Sequence, residues 1–111
     1  MIATVLLYSG IENPHWVVPP ERAAEVANAI EAMPELDRPC PPPGGLGYTG
    51  VSITFTASDG GVHTWTFGNG VAESDQRCFA DAGRRIERMV LESGRGHFDA
   101  SLLPDIRREG S

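Results

Sequence analysis

"VSITFTASDGGVHTWTF", residues 51–67, is the stretch that decides the fold of this chain. Between Val51 and Thr56 apolar and hydroxyl residues alternate, which predicts a strand with one buried face. Trp65 and Phe67 continue the same spacing after the turn. The Asp-Gly-Gly between the two halves is typical of a tight turn. The stretch therefore predicts a β-hairpin with one apolar face.

The register of this hairpin depends on the length of its loop. A three-residue loop, residues 59–61, places Phe55 opposite Trp65 and collects the apolar side chains on one face. A two-residue loop would place the same aromatic residues opposite threonines, because a one-residue slip reverses every side chain. We therefore predict the three-residue loop, with Gly61 in its left-handed position. The predicted pairs are Phe55 with Trp65, Ile53 with Phe67 and Ala57 with His63, and the threonines of both strands face the other way.

Four further elements flank the hairpin. Residues 2–8 are predicted as a strand, and Pro20 begins a helix whose apolar stripe continues to Met33. Asn69-Gly70 favours a type I′ turn that returns a short strand, residues 71–73. A second helix is predicted from an N-cap at Ser74 or Asp75 to Ser93-Gly94. Its predicted buried stripe consists of Phe79, Ala82, Ile86, Met89 and Val90.

The order β-α-β-β-β-α predicts an α+β fold with a small, mainly antiparallel sheet and two helices packed on one face. Its 111 residues suit one domain spanning 1–111. Residues 40–47 are a Pro/Gly-rich linker in composition, and residues 107–111 are expected to be a frayed tail.

Net charge and hydropathy limit the classes of partner that this chain is expected to bind. The chain has a formal net charge of −6, contains no lysine, and carries its acidic excess in the first 73 residues. This argues against a nucleic-acid partner, since phosphate neutralisation supplies most of that affinity, and it favours a basic one. The apolar start is too short for a membrane span and lacks the features of a signal peptide. We therefore expect no membrane association and a cytoplasmic location.

The two cysteines, Cys40 and Cys78, lie 38 positions apart and form no C-x-x-C pair. For a cytoplasmic protein this predicts two reduced thiols, and the alternative, for an exported protein, is a disulfide between them. Cys40, in the linker, is expected to be the more reactive, and Cys78 a partly buried residue in the first turn of the second helix. No cofactor and no metal site are predicted, because no two histidines have ligand spacing.

The loop "YSGIENPHW", residues 8–16, is the candidate binding region. A structural role explains the Asn-Pro turn and Trp16, whose ring would fix the loop onto the body of the protein. Tyr8 and His15 are less well explained by it and could border a groove with Tyr48. The predicted binding residues are Tyr8, Asn13, His15, Trp16, Tyr48 and His63; no catalytic residue is predicted.

The same loop, with "LGYTG" at residues 46–50, resembles small uncharacterised bacterial proteins that share S-G-x-x-N-P-x-W and a downstream L-G-Y-x-G. The resemblance covers residues 8–16, residues 46–50 and the general layout. Ile11 departs from the group, in which arginine is frequent at that position. The group has no known activity, so the resemblance implies kinship without a mechanism.

These observations predict a non-catalytic binding or accessory module that recognises a peptide or protein segment, for example by strand addition at an open sheet edge. Homodimerisation would use the same edge. The alternative is a small enzyme or enzyme subunit with His15 or His63 as general acid/base near Tyr8. A second alternative is a metal-binding protein that uses histidine and cysteine ligands.

Overall fold

The computed structural model describes residues 1–8, 13–40, 47–57 and 59–97, with the backbone alone at 7–8 and 47–49. This part of the chain forms a six-stranded antiparallel sheet and two helices, which confirms the predicted α+β class. The strands are β1 Ile2–Tyr8, β2 His15–Val17, β3 Gly47–Thr56, β4 Val62–Gly68, β5 Val71–Ser74 and β6 Arg77–Ala80. The helices are α1 Pro20–Glu31 and α2 Arg85–Glu92, and the 3₁₀ turn Ala82–Arg84 precedes α2. The strand order across the sheet is β2-β1-β3-β4-β5-β6. The predicted tail at 107–111 lies outside the described residues.

The central hairpin has the predicted apolar face but a register two residues away from the predicted one. Ile53 lies opposite Trp65, and Phe55 lies opposite His63. The shift is even, so the apolar side chains still share one face. The left-handed residue is Gly60, with φ of 85°, rather than Gly61. The Asp59 carboxylate accepts the Gly61 N–H at 2.7 Å, a local bond that alternation of apolar residues does not reveal.

The second helix begins about ten residues later than predicted. Asp75 and Gln76 have positive φ angles of 52° and 66° and form a turn, not a helix N-cap. The chain then returns as β6, which places Phe79 in the sheet. The helical spacing that links Phe79 to the residues of α2 is therefore coincidental, because a strand and a helix both contribute to the same apolar core.

One face of the sheet and both helices enclose the core. The buried apolar residues are Ala3, Val5, Trp16, Val18, Val26, Ile30, Val51, Ile53, Phe67, Ala72, Ile86, Val90 and Leu91. On the opposite face Thr54 and Thr64 are exposed, with their hydroxyl oxygens 3.2 Å apart. The prediction that the threonines face away from the core is confirmed.

Candidate functional site

The second half of the predicted binding loop is an edge strand. Residues His15–Val17 form β2, which pairs antiparallel with β1. The N–H of Val5 donates to the Pro14 carbonyl and the N–H of Val18 donates to the Met1 carbonyl, both at 2.9 Å. Prolines on both sides limit the strand to a few residues, because proline cannot donate to a ladder.

Trp16 fixes this strand to the body of the protein, the structural role that the sequence predicts. Its side chain is only 3% exposed, and its Nε1–H donates to the Ser93 hydroxyl at 3.0 Å. The ring lies against Gly94 and is stacked on His97, with centroids 6.0 Å apart. Trp16 thus connects the sheet edge to the residues that follow α2.

The outer side of β2 presents backbone groups without a strand partner. In an antiparallel ladder, hydrogen-bonded and non-bonded pairs alternate. Since the hydrogen bonds to β1 fall at Pro14 and Val18, the N–H and C=O groups of His15 and Val17 point away from β1. The Val17 side chain is 67% exposed, and no described strand pairs with this edge.

The opposite edge of the sheet is closed by a segment that follows α1. Glu35 forms a single bridge with Phe79 of β6. The Leu36 N–H donates to the Cys78 carbonyl at 2.8 Å, and the Ala80 N–H donates to the Pro34 carbonyl at 2.9 Å. β6 is therefore not an open edge in this structure.

Arg77 adds an ion pair to the same contact by donating from Nε and Nη2 to the Glu35 carboxylate. These hydrogen bonds hold the pKa of Glu35 below its usual value. The pair is exposed, with 60% of the Arg77 and 44% of the Glu35 side chain accessible. Exposed pairs contribute little to stability, so the ion pair is a minor part of this closure.

A disulfide links Cys40 to Cys78, so the prediction of two reduced thiols is wrong. Their Cα atoms are 5.1 Å apart. Cys78 lies in β6, not in the first turn of a helix, and Cys40 is not a free thiol of the linker. The pairing becomes possible because the segment after α1 runs beside β6, an arrangement that cysteine spacing alone does not specify.

The two candidate histidines are far apart. His15 is exposed on β2, whereas His63 lies on β4 with 34% of its side chain exposed. Three strand spacings, about 14 Å, separate their strands. The Nε2 atom of His63 is 3.6 Å from Asp59 Oδ1, too long for a hydrogen bond. The two histidines therefore do not form one site.

The remaining predicted binding residues lie near one end of the sheet. Tyr8 pairs with Gly47 and Tyr48 pairs with Leu7, so their backbones are adjacent, while their side chains lie outside the described structure. Asn13 is half-buried and lies two residues before β2, the strand that pairs with β1. Seven residues of β3, about 23 Å, separate Tyr48 from the level of His63. His63 is therefore too far along the sheet to share a site with Tyr8, Asn13 and Tyr48.

A charged cluster begins α2. The interleaved arginines and acidic residues of this segment predict an ion-paired surface; the ion pair is present, but Asp81 and Glu87 are buried. Glu87 is fully buried, and Arg84 donates to both of its carboxylate oxygens, at 3.0 and 2.9 Å. The Asp81 carboxylate accepts the N–H groups of Ile86 and Glu87 at 2.9 and 3.1 Å. Burial raises the pKa of Asp81 despite these bonds. An aspartate four residues before the helix was the available signal.

An open cavity of about 460 Å³ lies beside this cluster, between the β4–β5 turn and the start of α2. Asn69, Gly70, Gly83 and Arg84 line it. The guanidinium of Arg84 is already held by Glu87, so the cavity offers little charge to a ligand. Within the described residues no group of three or more histidine, cysteine, aspartate or glutamate side chains is arranged to hold a metal ion.

Comparison with known proteins adds no relative. No family model matches the chain, and no curated protein or solved structure matches it significantly. No helix in the described part of the chain has the length and apolar character needed to cross a membrane.

Proposed function

We propose that this protein is a non-catalytic binding or accessory module that recognises an extended peptide or protein segment at the outer edge of β2. The observation that carries this proposal is the outward orientation of the His15 and Val17 backbone groups, with no described strand beside them. An added antiparallel strand would exchange both hydrogen bonds with each of these residues. The buried Trp16 side chain, bonded to Ser93, holds β2 in place on the core side of the sheet.

The shape of this edge limits what it binds. Pro14 and Pro19 bound the strand, so the recognised segment pairs over about three residues. So short a ladder needs further contacts, which Asn13 and the adjacent ends of β1 and β3 are placed to supply. The exposed carboxylates of α1, at Glu21, Glu25 and Glu31, together with the net charge of −6, favour a basic partner over a nucleic acid. We place the protein in the cytoplasm as part of this proposal.

Val17→Pro tests the proposal at the backbone. Because the Val17 N–H points outward, proline there removes no bond to β1. The matched control is Val62→Pro: Val62 is also exposed and pairs with Thr56 next to the Ala57–Gly61 hydrogen bond, so its N–H also points away from its partner strand.

The measurement is NMR titration of the ¹⁵N-labelled protein with a library of short basic, neutral and acidic peptides. We expect basic peptides to shift the His15 and Val17 amides, Val17→Pro to weaken binding at least tenfold, and Val62→Pro to bind as the wild type does. A library that leaves both amides unshifted, or equal binding by Val17→Pro, would contradict strand addition at β2.

A second copy of the chain is another occupant of the same edge. Two β2 strands related by a two-fold axis at Trp16 would pair His15 of each with Val17 of the other. Light scattering across a concentration series measures this association. If Val17→Pro converts a dimer to a monomer, the edge serves self-association, and peptide binding must then compete with it.

A further inference from the structure

Residues 34–40, here named the cover, close the outer edge of β6. Among the described residues, two backbone hydrogen bonds and the exposed Glu35–Arg77 ion pair attach the cover to the strand. Within the same part of the chain, one bridge, Glu35 with Phe79, connects it to the sheet. The covalent attachment is the disulfide between Cys40 at the end of the cover and Cys78 in β6.

We propose that the Cys40–Cys78 disulfide is a redox-controlled clasp on this edge. In the oxidised protein it keeps the cover on β6. Reduction releases the cover and exposes the outward backbone groups of Cys78 and Ala80, which gives the sheet a second edge able to accept a strand. The use of that edge rests on the strand-addition function proposed above, whereas the opening itself does not.

The two cysteines differ in exposure, and this difference decides which sulfur atom of the disulfide a reductant attacks first. As residues, Cys78 is 1% exposed and Cys40 is half-buried, so we expect a thiolate to attack the Sγ of Cys40. Attack there forms a mixed disulfide, and Cys78 leaves as a thiolate that takes up a proton. The second thiol of a dithiol reductant then displaces Cys40. Two electrons pass from the dithiol, which becomes a disulfide, to the protein, which gains two thiols.

Once the disulfide is reduced, the cover depends on the two backbone hydrogen bonds and the Glu35–Arg77 ion pair. In the folded protein the disulfide holds the end of the cover beside β6, so the other contacts re-form after any local opening. Those other attachments are two backbone hydrogen bonds and an ion pair whose side chains are exposed. The cover is therefore closed where disulfides persist and opens where the thiol pool keeps cysteines reduced.

Residue-resolved amide hydrogen exchange on the free protein, before and after treatment with dithiothreitol, tests the clasp. The Ala80 N–H donates to Pro34 in the cover, whereas the Phe79 N–H points the other way, toward Ala72 of β5. We expect reduction to raise the ratio of the Ala80 exchange rate to the Phe79 rate at least tenfold. Because both rates come from one sample, a general loss of stability cancels in the ratio.

A smaller rise in the ratio overturns the proposal, whether both amides accelerate together or neither changes. Cys40→Ser should show the high ratio without reductant and no further change with it. If Cys40→Ser does not fold, the reduced wild type alone decides. Peptide binding by the oxidised protein, compared between wild type and Val17→Pro, is measured separately, so failure at β2 and failure of the clasp are distinguishable.

Discussion

At the scale of single residues, the fit of Trp16 against Gly94 holds the candidate edge in place. A Cβ atom built on Gly94 would overlap the Cε2 and Cζ2 atoms of the indole ring. The ring is buried and its only polar atom is bonded to Ser93, so it has little freedom to move aside.

Gly94→Ala is therefore expected to lower the free energy of unfolding by about 1–3 kcal/mol, the usual cost of overpacking a core. Urea denaturation followed by tryptophan fluorescence measures the change. Gly61→Ala is the control, because its Cβ would meet mainly the end of the exposed Asp59 side chain. Equal losses in the two variants would show that the indole contact is not the cause.

At the scale of elements, contacts within residues 81–87 determine where α2 begins. Gly83 and Arg84 have left-handed φ angles of 65° and 56°, which turn the chain after β6. Asp81 then accepts two N–H groups of the first turn, so an unpaired buried donor is avoided. Arg84 covers this start by pairing with the buried Glu87.

The raised pKa of Asp81 predicts a pH dependence that Asp81→Asn removes. A carboxyl with a raised pKa in the folded state contributes most below its unfolded pKa, about 3.9, and loses that contribution as pH rises through the folded value. The unfolding free energy of the wild type minus that of Asp81→Asn should therefore fall as pH rises above about 4. Denaturation at a series of pH values measures the difference.

Asp59→Asn provides the contrast of opposite sign. The Gly61 N–H lowers the pKa of Asp59, so its contribution is present above the unfolded pKa and disappears as pH falls through the folded one. The two difference curves should slope in opposite directions; curves that slope in the same direction would contradict one of the two assignments, and flat curves would contradict both.

The elements that the sequence predicted share a strong local signal. The alternation in β3 and the apolar stripe of α1 each follow from one periodicity, which the structure retains. β2 and β6 lack such a signal because they are only three and four residues long. Where each begins and ends depends on pairing with the adjacent strand, β1 or β5. Asp75 and Gln76 both have left-handed φ angles, which an Asp-Gln pair does not indicate as strongly as a glycine would. The turn before β6 was therefore not predicted.

At the scale of the whole molecule, the disulfide joins two parts of the chain that are 38 positions apart. It crosses from the segment after α1 to the last strand and encloses β3, β4 and β5. In the unfolded chain this bond removes conformational freedom, which is its main contribution to stability.

Reduction should therefore lower the free energy of unfolding by about 4 kcal/mol, from the loop-closure entropy of this separation. Urea denaturation with and without reductant measures this, and the reduced protein should also show a larger m-value, because its unfolded state exposes more surface. A loss below about 1 kcal/mol would contradict loop-closure entropy as the main contribution of this bond.

The sequence by itself determined the α+β class, α1, and the parity of the central hairpin, because each depends on a periodicity read over neighbouring residues. Only the tertiary structure decided the hairpin register, the strand β6, the Cys40–Cys78 bond and which edge of the sheet has no further strand among the described residues. The local residue pattern fits several arrangements of these features equally well. A carboxylate, a turn or a neighbouring strand, supplied by contacts beyond that pattern, then selects one of them.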